Sequence, residues 1–266
     1  MTAPRIAVLT GYGINSDAEL AHSFNLAGGK AERVHLHDCI DGHVRLEDFD
    51  ILAVPGGFSF GDHIASGKVF ANRLRYKLGD QLLRLREKKI PIIGICNGFQ
   101  VLVKLGLLPG TEPASFTQTC TLTYNDSSRY EDRWCYLRTE TGTPSIWLKG
   151  IERLYLPVRH GEGKFIPGSA ELLKSLEASK QTCLRYYLED GSLPPEGPDG
   201  FPANPNGSTA HVAGLCSSDG LVFGLMPHPE AHVLATQHPR WHRDGLKIEG
   251  DGLQIFRNAV NYLLRG

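Results

Sequence analysis

The sequence predicts an α/β fold: a mostly parallel sheet with helices on both faces, and a smaller antiparallel strand region in the second half. Three observations predict it. Short apolar runs alternate with helix-patterned segments through the first half, the pattern of a parallel sheet covered by helices. Glycine-bearing turns stand at the carboxyl ends of those runs (Gly11-Tyr12-Gly13, Pro55-Gly56-Gly57 and the segment around Cys96), where such sheets bind ligands. The second half then changes to short strand-like runs separated by Pro-, Gly- and Asn-rich stretches.

Taken in order, Arg5 to Thr10 reads as a buried strand. Ser16-Asp17-Ala18-Glu19 is a capping box that opens a helix through about Leu26, and Gly28-Gly29 closes it. Ala31 to Leu36 is a second strand, and Asp50 to Val54 a third that ends at Pro55. A longer helix covers Lys68 to Glu87. Ile92 to Ile95 is a fourth strand, and Asn97 to Leu105 a helix. Thr119 to Tyr124, Arg133 to Arg138, Ile146 to Leu148, Thr182 to Leu188 and His211 to Cys216 read as short antiparallel strands. Asp190 to Gly207 reads as a long exposed loop. Leu221 to Met226 is one more apolar strand, and Gly252 to Leu264 a C-terminal helix. Neither an internal repeat nor a linker divides the chain, so the expectation is a single domain over residues 1–266.

Composition narrows the function classes. Of 266 residues, 41% are apolar and 21% charged, with a net charge of −1, so no basic excess points to nucleic acid. No segment approaches a membrane span, and Met1-Thr2-Ala3-Pro4-Arg5 leads straight into an apolar run rather than a secretory signal. Six cysteines without CxxC spacing read as reduced thiols, and the expected location is cytoplasmic. Gly11-Tyr12-Gly13 lacks the third glycine of a dinucleotide fingerprint, and no Walker loop is present. His35, His37 and the histidines of residues 238–242 lack companions at metal-ligand spacing, so no metal site is expected.

The chemistry concentrates in Pro91-Ile92-Ile93-Gly94-Ile95-Cys96-Asn97-Gly98-Phe99-Gln100. This is the Gly-x-nucleophile-x-Gly pattern of a strand-to-helix elbow, with Cys in place of Ser. A side chain at Gly94 or Gly98 would collide where strand and helix pack around the turn. The turn also sets the thiol at a helix N-terminus, which favours thiolate. Met226-Pro227-His228-Pro229-Glu230 follows the last apolar strand. Pro229 pushes His228 into an extended conformation, from which His228 and Glu230 can project to one side. A nucleophilic cysteine needs a base, and the base needs a group to fix its tautomer. Cys96, His228 and Glu230 supply those roles. Acyl transfer also needs backbone N–H donors for the oxyanion. Asn97, after the nucleophile, offers one, and the loop Val54 to Asp62 is the candidate source of a second.

With these segments in view, the chain resembles the glutaminase subunits of phosphoribosylformylglycinamidine synthases, a family of class I, triad-type glutamine amidotransferases. The resemblance is carried by Pro55-Gly56-Gly57-Phe58-Ser59, by Gly94 to Gln100, by Leu105-Gly106-Leu107-Leu108-Pro109-Gly110, by Pro157-Val158-Arg159-His160-Gly161-Glu162-Gly163 and by Met226 to Glu230. It implies a flavodoxin-like domain that hydrolyses glutamine to glutamate and passes ammonia to a synthetase subunit, possibly with a small accessory subunit. In de novo purine biosynthesis the synthetase converts formylglycinamide ribonucleotide to formylglycinamidine ribonucleotide. ATP and Mg are then expected on the synthetase partner and no cofactor on this chain. The resemblance makes Cys96 the nucleophile, His228 the base and Glu230 its orienter. Gly57 and Asn97 supply oxyanion N–H groups, Gln100 lies near the glutamine, and His160 and Gly161 help shape its pocket or the partner-facing rim. Phe60 stands where the family often has Tyr, and Ala231 where a basic residue often follows. Extra length lies around Thr119 to Ile151 and Asp190 to Gly207, and the stretch Asn125 to Trp134 reads either as partner-facing or as a plain surface loop. The competing readings are a stand-alone cysteine hydrolase or peptidase of the related parallel-sheet type, and a non-enzymatic subunit with a degenerate site.

Overall fold

The computed structural model describes residues 2–111 and 116–265. The first half runs β1 (Arg5–Thr10), α1 (Asp17–Leu26), β2 (Lys30–His35), α2 (Leu36–Ile40), β3 (Ile51–Val54), α3 (Lys68–Glu87), β4 (Ile92–Ile95) and α4 (Asn97–Leu105). The strands read from apolar runs fall where expected, because β3 and β4 are buried at every residue and tolerate nothing polar. Two local expectations fail. Ser16 precedes α1 but caps nothing: its hydroxyl donates to Asn15 Oδ1 at 3.2 Å. Its backbone (φ −106°, ψ 16°) is not in the extended region an N-cap needs. Leu36 belongs to the short α2 rather than to the second strand, because the His35 imidazole Nδ1 accepts the His37 N–H at 3.2 Å and starts a helix there.

The second half contains β5 (Cys120–Thr123), β6 (Glu131–Thr139), β7 (Arg153–His160), β8 (Lys164–Pro167), α5 (Ala170–Ala178), β9 (Leu184–Tyr187), β10 (Val212–Cys216), β11 (Val222–Leu225), α6 (Trp241–Asp244) and α7 (Leu253–Arg265). Ile146 to Leu148 is a 3₁₀ turn, not a strand; Trp147 is fully buried and its indole donates to Leu221 O at 3.0 Å. β7 escaped the sequence reading because Pro157 interrupts it. The proline is tolerated because β7 is an edge strand. α5 was also missed, although Ser169 is a true N-cap that accepts the Leu172 N–H at 3.1 Å. The stretch 190–207 is irregular as expected, but its end is not exposed. Asn204 and Asn206 are buried, and the Asn204 side-chain oxygen Oδ1 accepts the N–H groups of Gly207 and Ser208.

Nine strands form one sheet in the order β2-β1-β3-β4-β11-β10-β9-β6-β7. The pairings among β2, β1, β3, β4 and β11 are parallel; those among β11, β10, β9, β6 and β7 are antiparallel. The antiparallel region therefore continues the parallel sheet, while β5 and β8 make a separate antiparallel pair. Helices cover both faces, with α1 packed on α7 and α3 on α4. Phe24 of α1 meets Phe256 of α7 edge-on at 5.0 Å between ring centres.

The strand-to-helix elbow depends on two close approaches. A Cβ on Gly98 would lie 1.9 Å from Val54 O, and one on Gly94 2.6 Å from Gly98 O, so α4 rests directly on the backbone of β3 and β4. Gly98→Ala is expected to destabilise the fold by about 3 kcal/mol or more. Gly161→Ala, where the new methyl meets nothing within 4 Å, should change stability by less than about 1 kcal/mol. Denaturant unfolding of the two variants checks this, and equal losses would refute it.

Candidate active site

Cys96 sits between β4 and α4 with φ 52° and ψ −106°, a region non-glycine residues avoid. Such strain costs of the order of 1–3 kcal/mol and is held by its surroundings. Here the Cys96 N–H donates to Leu225 O at 2.8 Å, and Cys96 O accepts the Gln100 N–H at 3.1 Å. The sulfur stands at the N-terminus of α4, 3.6 Å from Arg159 O. Cys96 is only 5% exposed, so the site is closed over its sulfur.

His228 leaves the end of β11 with its N–H bound to Pro157 O at 2.8 Å. The sequence reading expected an extended His-Pro-Glu stretch, with both side chains on one side of it. Instead, a 3₁₀ turn begins at Pro229 and folds Glu230 back, so that its carboxylate meets His228 Nδ1 at 2.5 Å. Proline suits the first position of such a turn, where no N–H is needed. A methyl group at Gly56 would lie 2.9 Å from His228 Cε1 and 3.5 Å from Cys96 Cβ, so imidazole and thiol flank one point above the sheet. Burial opposes charge on the His228 ring, but Glu230 and Cys96 outweigh it and lift its pKa to about 10. The ring is therefore an imidazolium at neutral pH. His228 Nε2 and Glu230 Oε2 are buried and have no hydrogen-bond partner among the described residues.

The loop after β3 comes next. Gly57 takes φ +148°, and a Cβ there would strike Gly13 O at 2.5 Å. The neighbouring Phe58 N–H donates to Gly13 O at 2.7 Å, locking the loop to the turn after β1. The Asn97 N–H lies in the first turn of α4, where backbone donors have no partner within the helix. Phe60, Asp62 and Ile64 all have positive φ, so this loop carries backbone strain. The Asn97 side chain ties it to α4: its NH₂ donates to Asp62 Oδ1 and Gln100 Oε1 at 3.0 Å each, and its oxygen accepts the Ser59 N–H at 3.4 Å. Gln100 in turn donates to Glu162 O. Both ends of the Gln100 amide are thus engaged with protein, and it braces the 160–163 segment. Burial pushes the Asp62 carboxyl up.

His160 and Gly161 are drawn in by Asn125, which the sequence reading did not single out. Asn125 is buried, its N–H donates to Gly161 O at 2.9 Å, and its side chain binds His160 and Gly163. The stretch 125–134 is therefore not simply a surface loop: its first residue organises the site. Tyr130, in the same stretch, stacks on Phe58 with ring centres 6.3 Å apart. Burial, and then the charge of Cys96, push its phenol up. An Asn in an irregular segment is a signal of backbone capture, but nothing local says which backbone it will capture.

All eight residues singled out for the site thus fall in one region. His228 and Glu230 meet, Cys96 and His228 flank the same point at Gly56, Gly57 and Asn97 follow Gly56 and Cys96 in the chain, and Gln100 joins the segment of His160 and Gly161 through Glu162 O. Six free cysteines are all buried, and Cys39, Cys120 and Cys135 are pushed up by burial, to about 11, 12 and 12.

Residues 3–263 match the family of CobB/CobQ-like glutamine amidotransferase domains. A protein from Dehalococcoides mccartyi named phosphoribosylformylglycinamidine synthase subunit PurQ is 45% identical over 263 residues, 98% of both chains. One of the same name from Archaeoglobus fulgidus is 38% identical over 273 residues, 97% of both. A solved chain from the structure of PurLQS from Thermotoga maritima superposes with a TM-score of 0.72 at 27% identity, over 98% of this chain and all of that one.

The pKa of His228 gives a test of the arrangement. Its folded value is above the ordinary 6.5, so the charged ring's contribution to stability is full below about pH 6.5 and is lost as pH rises toward about 10. Cys96→Ser and Glu230→Gln should each lower the value read by NMR titration of the ring. A value unmoved in both would mean that neither group acts on it.

Proposed function

Because the chain belongs to the CobB/CobQ-like glutamine amidotransferase family, we propose that it is the glutaminase subunit of a phosphoribosylformylglycinamidine synthase, using Cys96, His228 and Glu230 as its catalytic triad. The observation that carries the triad is the meeting, above one sheet, of an elbow cysteine and a buried His–Glu pair. Relatives of that name matching over nearly the whole length support the subunit assignment and favour it over a stand-alone cysteine hydrolase.

In this reading the Cys96 thiolate attacks the glutamine carboxamide carbon. The carbonyl oxygen becomes an oxyanion and receives the Gly57 and Asn97 N–H groups. The His228 imidazolium gives its proton to the departing nitrogen, the C–N bond breaks, and ammonia leaves a γ-glutamyl thioester. A water molecule then attacks the thioester, its proton passing to His228. The C–S bond breaks, glutamate forms, and the Cys96 thiolate returns. Glu230 holds the imidazole in one tautomer and steadies its charge throughout.

Ammonia then passes to a synthetase subunit, where ATP and Mg act on formylglycinamide ribonucleotide; a small accessory subunit belongs to the same proposal. The closed site fits this coupling, since a free subunit that hydrolysed glutamine readily would waste ammonia. We set the complex in the cytoplasm, in keeping with the free cysteines. No helix among the described residues is long and apolar enough to cross a membrane.

Glutamate release should be slow for the chain alone and should rise when the synthetase is added. Cys96→Ser should lower it by roughly 10³-fold or more and abolish covalent labelling by a glutamine-like chloroketone. Persistent labelling of the Ser variant would show that another residue is the nucleophile.

A further inference from the structure

Among the unpaired buried polar atoms around the site, the mechanism gives no role to Nε2 of His160. The protonation of that ring follows from its neighbour. The Asn125 NH₂ lies 2.9 Å from Arg129 O and 2.8 Å from His160 O, two groups that can only accept. The other end of the amide is therefore its oxygen. That oxygen receives the Gly163 N–H at 3.0 Å and faces His160 Nδ1 at 3.1 Å. An oxygen that already accepts requires Nδ1 to carry a proton, which leaves Nε2 with a bare lone pair. Burial, and then the charge of His228, hold the His160 pKa down to about 3, so no second proton arrives at neutral pH.

His160 Nε2 is thus a fixed acceptor. The residue is 3% exposed, and the atom has no hydrogen-bond partner among the described residues. Leaving an acceptor buried and unpaired is costly unless a ligand supplies the donor. The surroundings indicate which donor. The carbonyl of Arg159, the preceding residue, touches the Cys96 sulfur, and His228, whose unpaired Nε2 is a donor in the imidazolium, lies close enough to influence the His160 ring. The nucleophile is therefore bordered both by donors and by acceptors, the Arg159 carbonyl and His160 Nε2 among the latter. A primary carboxamide matches that set, with an oxygen that accepts and an NH₂ that donates. A carboxylate or an ester has no N–H to offer.

We propose that His160 Nε2 accepts an N–H of the glutamine carboxamide and so makes the site selective for the amide over the corresponding acid or ester. This rests on the glutaminase reading and adds to it a residue that distinguishes substrate from product. The same lone pair faces the nitrogen as it departs. Because it takes up no proton at neutral pH, the nitrogen leaves as ammonia rather than ammonium. Once ammonia has gone, the glutamate carboxylate brings only oxygens against an acceptor, which favours its release.

The test compares glutamine with the γ-methyl ester of glutamic acid, using the full chain with its synthetase partner. His160→Phe keeps a planar ring and removes the acceptor. Its kcat/KM for glutamine should fall roughly 10- to 100-fold, while that for the ester changes less than about threefold. His160→Gln, which retains a carbonyl acceptor, should recover part of the preference for the amide. If the phenyl ring does not fit, His160→Leu gives the same comparison. Equal losses on both substrates, or no loss on either, would overturn the proposal, because a merely structural histidine cannot tell amide from ester. Failure of a glutamine-like chloroketone to label Cys96 in the unmodified protein would instead count against the glutaminase reading, leaving the two readings separable.

Discussion

The geometry of the site depends on the contact of Gly98 with the carbonyl of Val54. Without a side chain at that position, α4 can begin directly over the ends of β3 and β4. The chain must then turn within one residue, and Cys96 takes the strain of that turn. The sulfur is thereby set at the head of a helix, beside the glycine loop that follows β3 and opposite the turn that follows β11. A wider spacing between helix and sheet would separate these groups without altering any of them.

The second organising feature is a chain of amide side chains. Asn97 links α4 to the strained loop through Ser59 and Asp62, Gln100 links α4 to Glu162, and Asn125 links β7's end to the stretch that carries Tyr130. Three segments are thus held together around the thiol. Amides suit the task because each offers donors and acceptors in fixed directions and carries no charge to desolvate. Phe58 and Ile64 of the strained loop and Tyr130 are exposed, so contact with any of them bears on segments that border the nucleophile.

Two buried histidines close to one another take opposite protonation states, and the cause is the identity of one neighbour in each case. His228 has a carboxylate on Nδ1 and holds a second proton; His160 has a neutral amide oxygen there and does not. Burial pushes both rings toward neutrality, and only the charge of Glu230, aided by Cys96, reverses it. Residue type alone says nothing about this division.

The parallel strands, the two long helices of the first half, the elbow and the Cys, His and Glu of the site were legible in the sequence. Their signals are local: unbroken apolar runs, glycines at fixed offsets, a proline that constrains its neighbours. The edge strand β7 was not legible, because a proline is forbidden or allowed according to whether another strand lies outside it. The capping box that the sequence offers at Ser16 does not form, because its backbone angles exclude it, and the turn that folds Glu230 onto His228 was not legible either. Asn125, Tyr130 and the acceptor on His160 were decided by the tertiary structure alone. The contacts that bring them into the site join distant segments, as with Asn125 and His160 or Tyr130 and Phe58. A hydrogen bond's direction exists only once both partners have been placed in space.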